Sequence, residues 1–91
     1  MKVKFFATYR DFTRRKEEEV VASPDVWALL VSLGERYDAD FKKKLFSPDG
    51  NEIGEDTIIL VNGRNVFHLD GKHTALSETD VVSIFPVVAG G

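Results

Sequence analysis

Only one stretch of this 91-residue chain combines a helix start signal with sustained helical periodicity, and strand-like segments flank it on both sides. At Ser23-Pro24-Asp25 the serine is expected to cap free amides, the proline to suit the first turn, and the aspartate to suit the positive end of the helix dipole. Val26, Leu29, Leu30, Leu33 and Tyr37 then recur at helical spacing, with Gly34 weakening the helix near its end. A single apolar stripe of this kind must be covered by an apolar surface. Before the helix, Lys2 to Tyr9 alternates Val3, Phe5, Ala7 and Tyr9 on one face, Arg10 to Lys16 reads as a polar turn, and Glu17 to Ala22 suits the second strand of a hairpin. After it come a short helical piece, Ala39 to Phe46, with Phe41 and Leu45 four apart, and an exposed loop, Ser47 to Glu55, holding Pro48, Gly50 and Gly54. Thr57 to Asn62 is an unbroken apolar strand, Gly63 to Leu69 a weaker strand or loop, and Thr79 to Pro86 a last strand.

A hairpin, one crossing helix and then returning strands predict an α+β fold of the β-grasp, or ubiquitin-like, kind. The expected architecture is a mixed four- to five-stranded sheet with one main helix on one face, and the first and last strands adjacent and parallel in the middle. With Val3, Phe5, Ala7, Ile59, Val61, Val82 and Ile84 turned inward, the opposite face gains Phe6, Ile58, Leu60 and Phe85. Large apolar groups on an uncovered face favour a partner-binding surface. Sheet bends or the Ser47–Glu55 loop are the other way to cover them.

The 43% hydrophobic and 30% charged fractions are those of an ordinary globular domain, and 91 residues make one domain, 1–91. A net charge of −3 gives no reason to expect nucleic acid. No apolar run approaches the roughly 20 residues a bilayer needs. Lys4, Arg10 and Asp11 interrupt any apolar core of a signal peptide, and a cytoplasmic setting, being reducing, fits the lack of cysteine. The chain has no cysteine, which excludes disulfides, thiolate zinc sites and a cysteine nucleophile.

The most telling chemistry lies at the end, Val87-Val88-Ala89-Gly90-Gly91. Glycines lack Cβ, so this segment is expected to be a flexible tail, about 87–91, that enters a narrow slot. It presents the Gly91 carboxylate for activation, with the strand Val81–Pro86 aiming it. Pro86 limits the backbone where the tail leaves the sheet. Elsewhere the candidates are weaker. His68 and His73 have no third ligand at a recognisable spacing, so no metal is expected. Lys42-Lys43-Lys44 and Glu17-Glu18-Glu19 read as solvated charge runs, the basic one a candidate dock for an acidic partner. Asn62-Gly63-Arg64-Asn65 is a hairpin turn rather than a phosphate loop. Asp70, Glu78 and Asp80 fall near turns without pairing into an acid–base couple. No catalytic constellation is expected, and the chain does not read as an enzyme.

The opening Lys2-Val3-Lys4-Phe5-Phe6-Ala7 with Tyr9-Arg10-Asp11-Phe12, the central Val61-Asn62-Gly63 and the closing Leu76 to Gly91 run resemble the ubiquitin-like sulfur-carrier proteins, most closely the small subunit of molybdopterin synthase. The resemblance covers the whole chain, and the closing motif is its specific part. Two departures stand out: Val87 replaces a common second proline, and the Leu45–Thr57 segment is longer, as in archaeal ubiquitin-like small modifiers and a carrier used in cysteine synthesis. The resemblance implies that an E1-like, ubiquitin-activating-type enzyme uses ATP to adenylate Gly91, and that a sulfur donor then makes the thiocarboxylate. The carrier itself binds no cofactor. It also implies either delivery to the molybdopterin synthase large subunit, delivery to another pathway (cysteine, thiamine, tRNA thiolation), or joining of Gly91 to target-protein lysines. Phe85, Pro86, Phe6, Leu60 and Ile58 are the expected docking residues.

Overall fold

The computed structural model describes residues 1–87. The chain forms β1 (Lys2–Phe5), α1 (Thr8–Thr13), β2 (Glu17–Glu19), α2 (Val26–Arg36), α3 (Ala39–Leu45), β3 (Thr57–Val61), β4 (Arg64–Asn65) and β5 (Val81–Pro86). Two short 3-10 turns, Val66–His68 and Gly71–His73, lead from β4 toward β5. The strands make one five-stranded sheet in the order β2-β1-β5-β3-β4. β1 and β5 run parallel, Lys2 opposite Val81 and Phe5 opposite Ile84, and every other pairing is antiparallel. This is the expected β-grasp arrangement.

The core lies between the sheet and α2 and α3. Val3, Phe5, Ile59, Val61, Val82 and Ile84 are buried against Val26, Leu29, Leu30 and Leu33 of α2 and Phe41 and Leu45 of α3. The cap of α2 is Asp25 and not Ser23: its carboxylate accepts from the Ala28 N–H at 2.9 Å. The chain stays extended through Asp25 because Asp25 bridges Ala75 and the Pro24 carbonyl accepts from the Leu76 N–H. Helix growth can therefore start only at Val26. Asp38 caps α3 in the same way, accepting from the Phe41 N–H at 2.9 Å.

Two glycines are fixed by close approach. A Cβ on Gly34 would stand 3.0 Å from the Phe46 ring, so the glycine expected to weaken α2 makes room for that ring. A Cβ on Gly54 would stand 2.4 Å from the Lys44 carbonyl oxygen, while the Gly54 N–H donates to Leu45 O at 2.8 Å. The Ser47–Glu55 loop closes on the end of α3 through that contact.

The first strand is shorter than its alternation suggested. At Ala7 the backbone turns to φ 51°, leaving Ala7 exposed instead of inward, and α1 begins at Thr8. Tyr9 is buried as expected, but from a helix, one turn before buried Thr13, whose hydroxyl donates to Tyr9 O at 3.0 Å. Most of the expected polar turn Arg10–Lys16 is thus α1 and its left-handed end at Arg14 (φ 59°, ψ 26°). A helix and not a hairpin turn joins β1 to β2, and β2 stops at Glu19. Glu18, expected to be solvated, is buried: it accepts from the Tyr37 hydroxyl and pairs with Arg36, tying β2 to the end of α2. Burial foremost, then the hydrogen bond and charge of Glu18, push the Tyr37 phenol up to about 12. Asn62 and Gly63 make the expected tight turn at φ 51° and 83°, after which β4 lasts only two residues.

Leu30→Ala is expected to cost about 2–5 kcal/mol, the range for truncating a buried leucine. Gly54→Ala, which drives a methyl into a backbone carbonyl, is expected to cost about 1–3 kcal/mol. Urea unfolding midpoints test both, and a loss below about 0.5 kcal/mol, the usual surface value, would contradict the packing.

Candidate functional site

The helices leave the other sheet face open, and its apolar side chains gather beside the end of β5. The Phe6 and Phe85 rings stack with centroids 4.1 Å apart and planes 7° from parallel. Adjacent positions on β1 and β5 bring them together, since the Phe6 N–H continues the parallel ladder by donating to Ile84 O. Ile58 sits directly across from Phe85, and Leu60 across from Ser83. The Arg10 guanidinium lies 5.9 Å over the Phe6 ring and its Nε donates to Phe5 O at 3.4 Å. Phe6, Ile58, Leu60, Phe85 and Pro86 are all half-buried, so the cluster partly screens itself. The Ser47–Glu55 loop, a candidate cover, lies elsewhere: Ser47, Pro48 and Gly50 line a groove with Trp27, Val31 and Phe46.

Where the chain leaves the sheet, Pro86 is still paired with Thr57, and the Val87 N–H donates to Asp56 O at 2.7 Å. The strand therefore guides the chain one residue beyond the proline. Thr57 in turn is held from below: its hydroxyl donates to Lys44 O at 3.0 Å and shares a hydrogen bond with the Tyr9 hydroxyl. Burial raises the Tyr9 phenol above its ordinary value, the Thr57 hydrogen bond works against this, and the Asp56 charge adds to it. A neutral, well-tied base supports the exit. The residues expected to carry the chemistry, Val88, Ala89, Gly90 and Gly91, lie outside the described residues.

At the opposite end of β5, Asp80 has a partner that its position near a turn did not reveal. Asn62 Nδ2 donates to Asp80 Oδ1 at 2.8 Å and the Ser77 N–H to Oδ2 at 2.8 Å, while the Val81 N–H donates to Asn62 Oδ1 at 2.9 Å. These bonds clamp the start of β5 to the β3–β4 turn. The Asn62 bond first, then the Ser77 amide, hold the Asp80 carboxyl below its usual range.

His68 and His73 are exposed, and among the described residues no three His, Cys, Asp or Glu side chains gather as a metal site. No helix among the described residues is long and apolar enough to cross a membrane. Two features escaped the sequence reading. Arg10 was visible in an Arg-acid-apolar pattern, but its place over Phe6 depends on the turn at Ala7. Phe67 is 84% exposed on a 3-10 turn, within the Gly63 to Leu69 segment expected to be a weaker strand or loop.

The model of the ThiS family matches residues 3–91. The chain belongs to that family. It is 38% identical over 93 residues to small archaeal modifier protein 3 of Haloferax volcanii, covering 100% of this chain and 98% of that one. The solution structure of small archaeal modifier protein 1 from Methanosarcina acetivorans superposes with a TM-score of 0.86 at 33% identity, covering 99% of this chain and 94% of that one. The solution structure of the Haloferax volcanii HVO 2177 protein gives 0.78 at 40% identity, covering 99% and 84%. This ThiS-family chain is thus a ubiquitin-like protein of the sulfur-carrier and small-modifier group, with the β-grasp fold of its relatives.

The Asp80 clamp generates a pH prediction. A carboxyl whose folded pKa is depressed contributes stability that is present above the unfolded value of about 3.9 and is lost as pH falls through the lower folded value. Asp80→Asn is therefore expected to lower the thermal midpoint at neutral pH and to lower it by less at an acidic pH below the unfolded value. Equal losses at the two pH values would show that the charge is not what the clamp uses.

Proposed function

We propose that this ThiS-family chain is a non-catalytic sulfur carrier whose Gly91 carboxylate is activated by an ATP-using, E1-like enzyme. The single observation that carries this reading is a family match running through residue 91, the Gly90-Gly91 end following β5 in the sequence after Val87-Val88-Ala89. In the activation step a carboxylate oxygen attacks the α-phosphorus of ATP and pyrophosphate leaves, forming the acyl-adenylate. A sulfur nucleophile then attacks the carbonyl carbon and AMP leaves; hydrosulfide gives the thiocarboxylate directly. The glycines leave that carbonyl unshielded. The open face of Phe6, Ile58, Leu60, Phe85 and Pro86 is the docking surface for the partners, which bury what the cluster leaves exposed.

The Phe85-Pro86 ending and the apolar face suit delivery of sulfur to the large subunit of molybdopterin synthase, making this chain its small subunit in molybdenum cofactor synthesis. A second reading, joining of Gly91 to lysines of target proteins, is favoured by the names of two relatives, small archaeal modifier proteins at 38% and 33% identity. Both share the activation step and differ in what attacks the activated carbonyl.

The intact mass of the protein from its own cells separates the two. Replacement of one terminal oxygen by sulfur supports the carrier role, and higher-mass species cleaved at isopeptide bonds support conjugation. Appending one alanine after Gly91 moves the carboxylate by about 3.5 Å and is expected to abolish ATP–pyrophosphate exchange without changing the thermal midpoint. Full exchange with the added alanine would remove the proposal. Phe85→Ala is expected to weaken binding to the activating enzyme or large subunit by about 2 kcal/mol or more, against a stability loss of about 1 kcal/mol for the lost stacking. Unfolding as the main effect would remove Phe85 from the docking surface.

A further inference from the structure

Residues 10–16 carry Arg10, Arg14, Arg15 and Lys16 against one acid, Asp11, a local net charge of +3 in a chain whose net charge is −3. The excess lies on and just after α1, which packs against β5. Tyr9 of α1 meets Phe41 of α3 edge to face at 5.7 Å, and the Lys16 carbonyl accepts from the Phe5 N–H next to Phe6. Arg14, Arg15 and Lys16 are exposed, and among the described residues their side chains make no hydrogen bond and no ion pair. Arg15 bears on the fold only through its charge, which works against the upward push on the Tyr37 phenol.

Arg14 is placed where the fold would prefer another residue. It ends α1 in the left-handed region (φ 59°, ψ 26°), a position where glycine is cheapest and a branched-off side chain is strained. A cation there suits the negative end of the α1 dipole, and its side chain is exposed.

We propose that Arg14, Arg15 and Lys16 form an electrostatic docking element that steers an acidic surface of the tail-activating enzyme toward the exit of β5. This inference rests on the carrier reading and names a feature of its activating partner: acidic residues facing α1 when Phe6 and Phe85 are engaged. A protein surface fits better than a polynucleotide, because the remainder of this chain has an acid excess that repels an extended polyanion, whereas a local acidic patch meets only α1. Steering of this kind acts on the association rate and weakens with salt, leaving the apolar contact to set the lifetime of the complex.

The test uses the full-length chain and the adenylating enzyme purified from the same cells by its ATP–pyrophosphate exchange on this protein. The combined variant Arg14→Gly, Arg15→Gln, Lys16→Gln is expected to associate about tenfold more slowly at low salt, the lower end of steering effects. Its rate should depend less on salt, with an unchanged dissociation rate and unchanged exchange at saturation. The thermal midpoint is expected to hold or rise, since Arg14→Gly relieves the left-handed position. Arg14→Lys, Arg15→Lys together should restore the rate. An unaltered association rate and salt dependence would overturn the docking element while leaving the carrier reading intact. Absence of exchange with the unaltered chain would remove both. Loss of binding to a single-stranded DNA oligomer, with enzyme association unaltered, would assign the patch to nucleic acid and overturn the proposal.

Discussion

Two strands that lie side by side in the same direction cannot be joined by a tight turn, and β1 and β5 are such a pair drawn from opposite ends of the described chain. Everything between them is one crossover. It must cover a sheet face on the way, which is why α2 carries a stripe of Val26, Leu29, Leu30 and Leu33 and why that stripe is buried. The same pairing makes β5 the middle strand, bonded to β1 on one side and β3 on the other. A middle strand is held on both edges, so the chain leaving it after Val87 starts from the best-tied part of the sheet. The fold and the anchoring of β5 up to Val87 are one consequence of a single pairing.

The parallel register also decides what the open face looks like. It sets Phe6 beside Phe85, and the antiparallel register of β3 sets Ile58 across from Phe85. A stacked aromatic pair contributes about 0.5–1.5 kcal/mol beyond its buried area. The cluster thus stabilises the isolated chain while leaving each ring half-open. The rings are thus held in a fixed shape by their own stacking while part of each remains open to solvent.

Features with a long period or an unbroken apolar run were legible in the sequence. α2, β3 and β5 fall into that class, and with them the parallel pairing of the first and last strands in the middle of the sheet and the four open-face residues. The cap of α2 was not, because Ser23 and Asp25 are both good caps and only the bridge from Asp25 to Ala75, a contact remote in sequence, decides between them. α1 was hidden for a different reason. Over so few residues, Phe5 and Tyr9 face inward whether the chain continues as a strand or turns into a helix, so alternation could not separate the two. Glu18 looked like one of three solvated glutamates, and its burial follows from Arg36 and Tyr37, which no local pattern connects to it. Of the candidate site, the open face was read from alternation alone and the resemblance supplied the chemistry of Gly91. The place of Arg10 over Phe6 needed the turn at Ala7.

That turn brings the local exceptions together. Of the three non-glycine residues at positive φ among the described residues, Asn62 sits in an ordinary hairpin turn, while Ala7 and Arg14 bracket α1. Each departure of this kind costs on the order of 1–3 kcal/mol and persists only where the surroundings impose it. At Ala7 the gain is visible: the reversal keeps Phe6 on the open face, brings Tyr9 into the core beneath Thr57, and swings Arg10 back over Phe6. A plain hairpin between β1 and β2 would satisfy the sheet without α1. The strained connection instead builds a shoulder beside β5, and the residues it presents there are cations. Conflict between local preference and global structure is expected where a chain does more than fold, and among the described residues it is concentrated around α1, which borders both the stacked rings and β5.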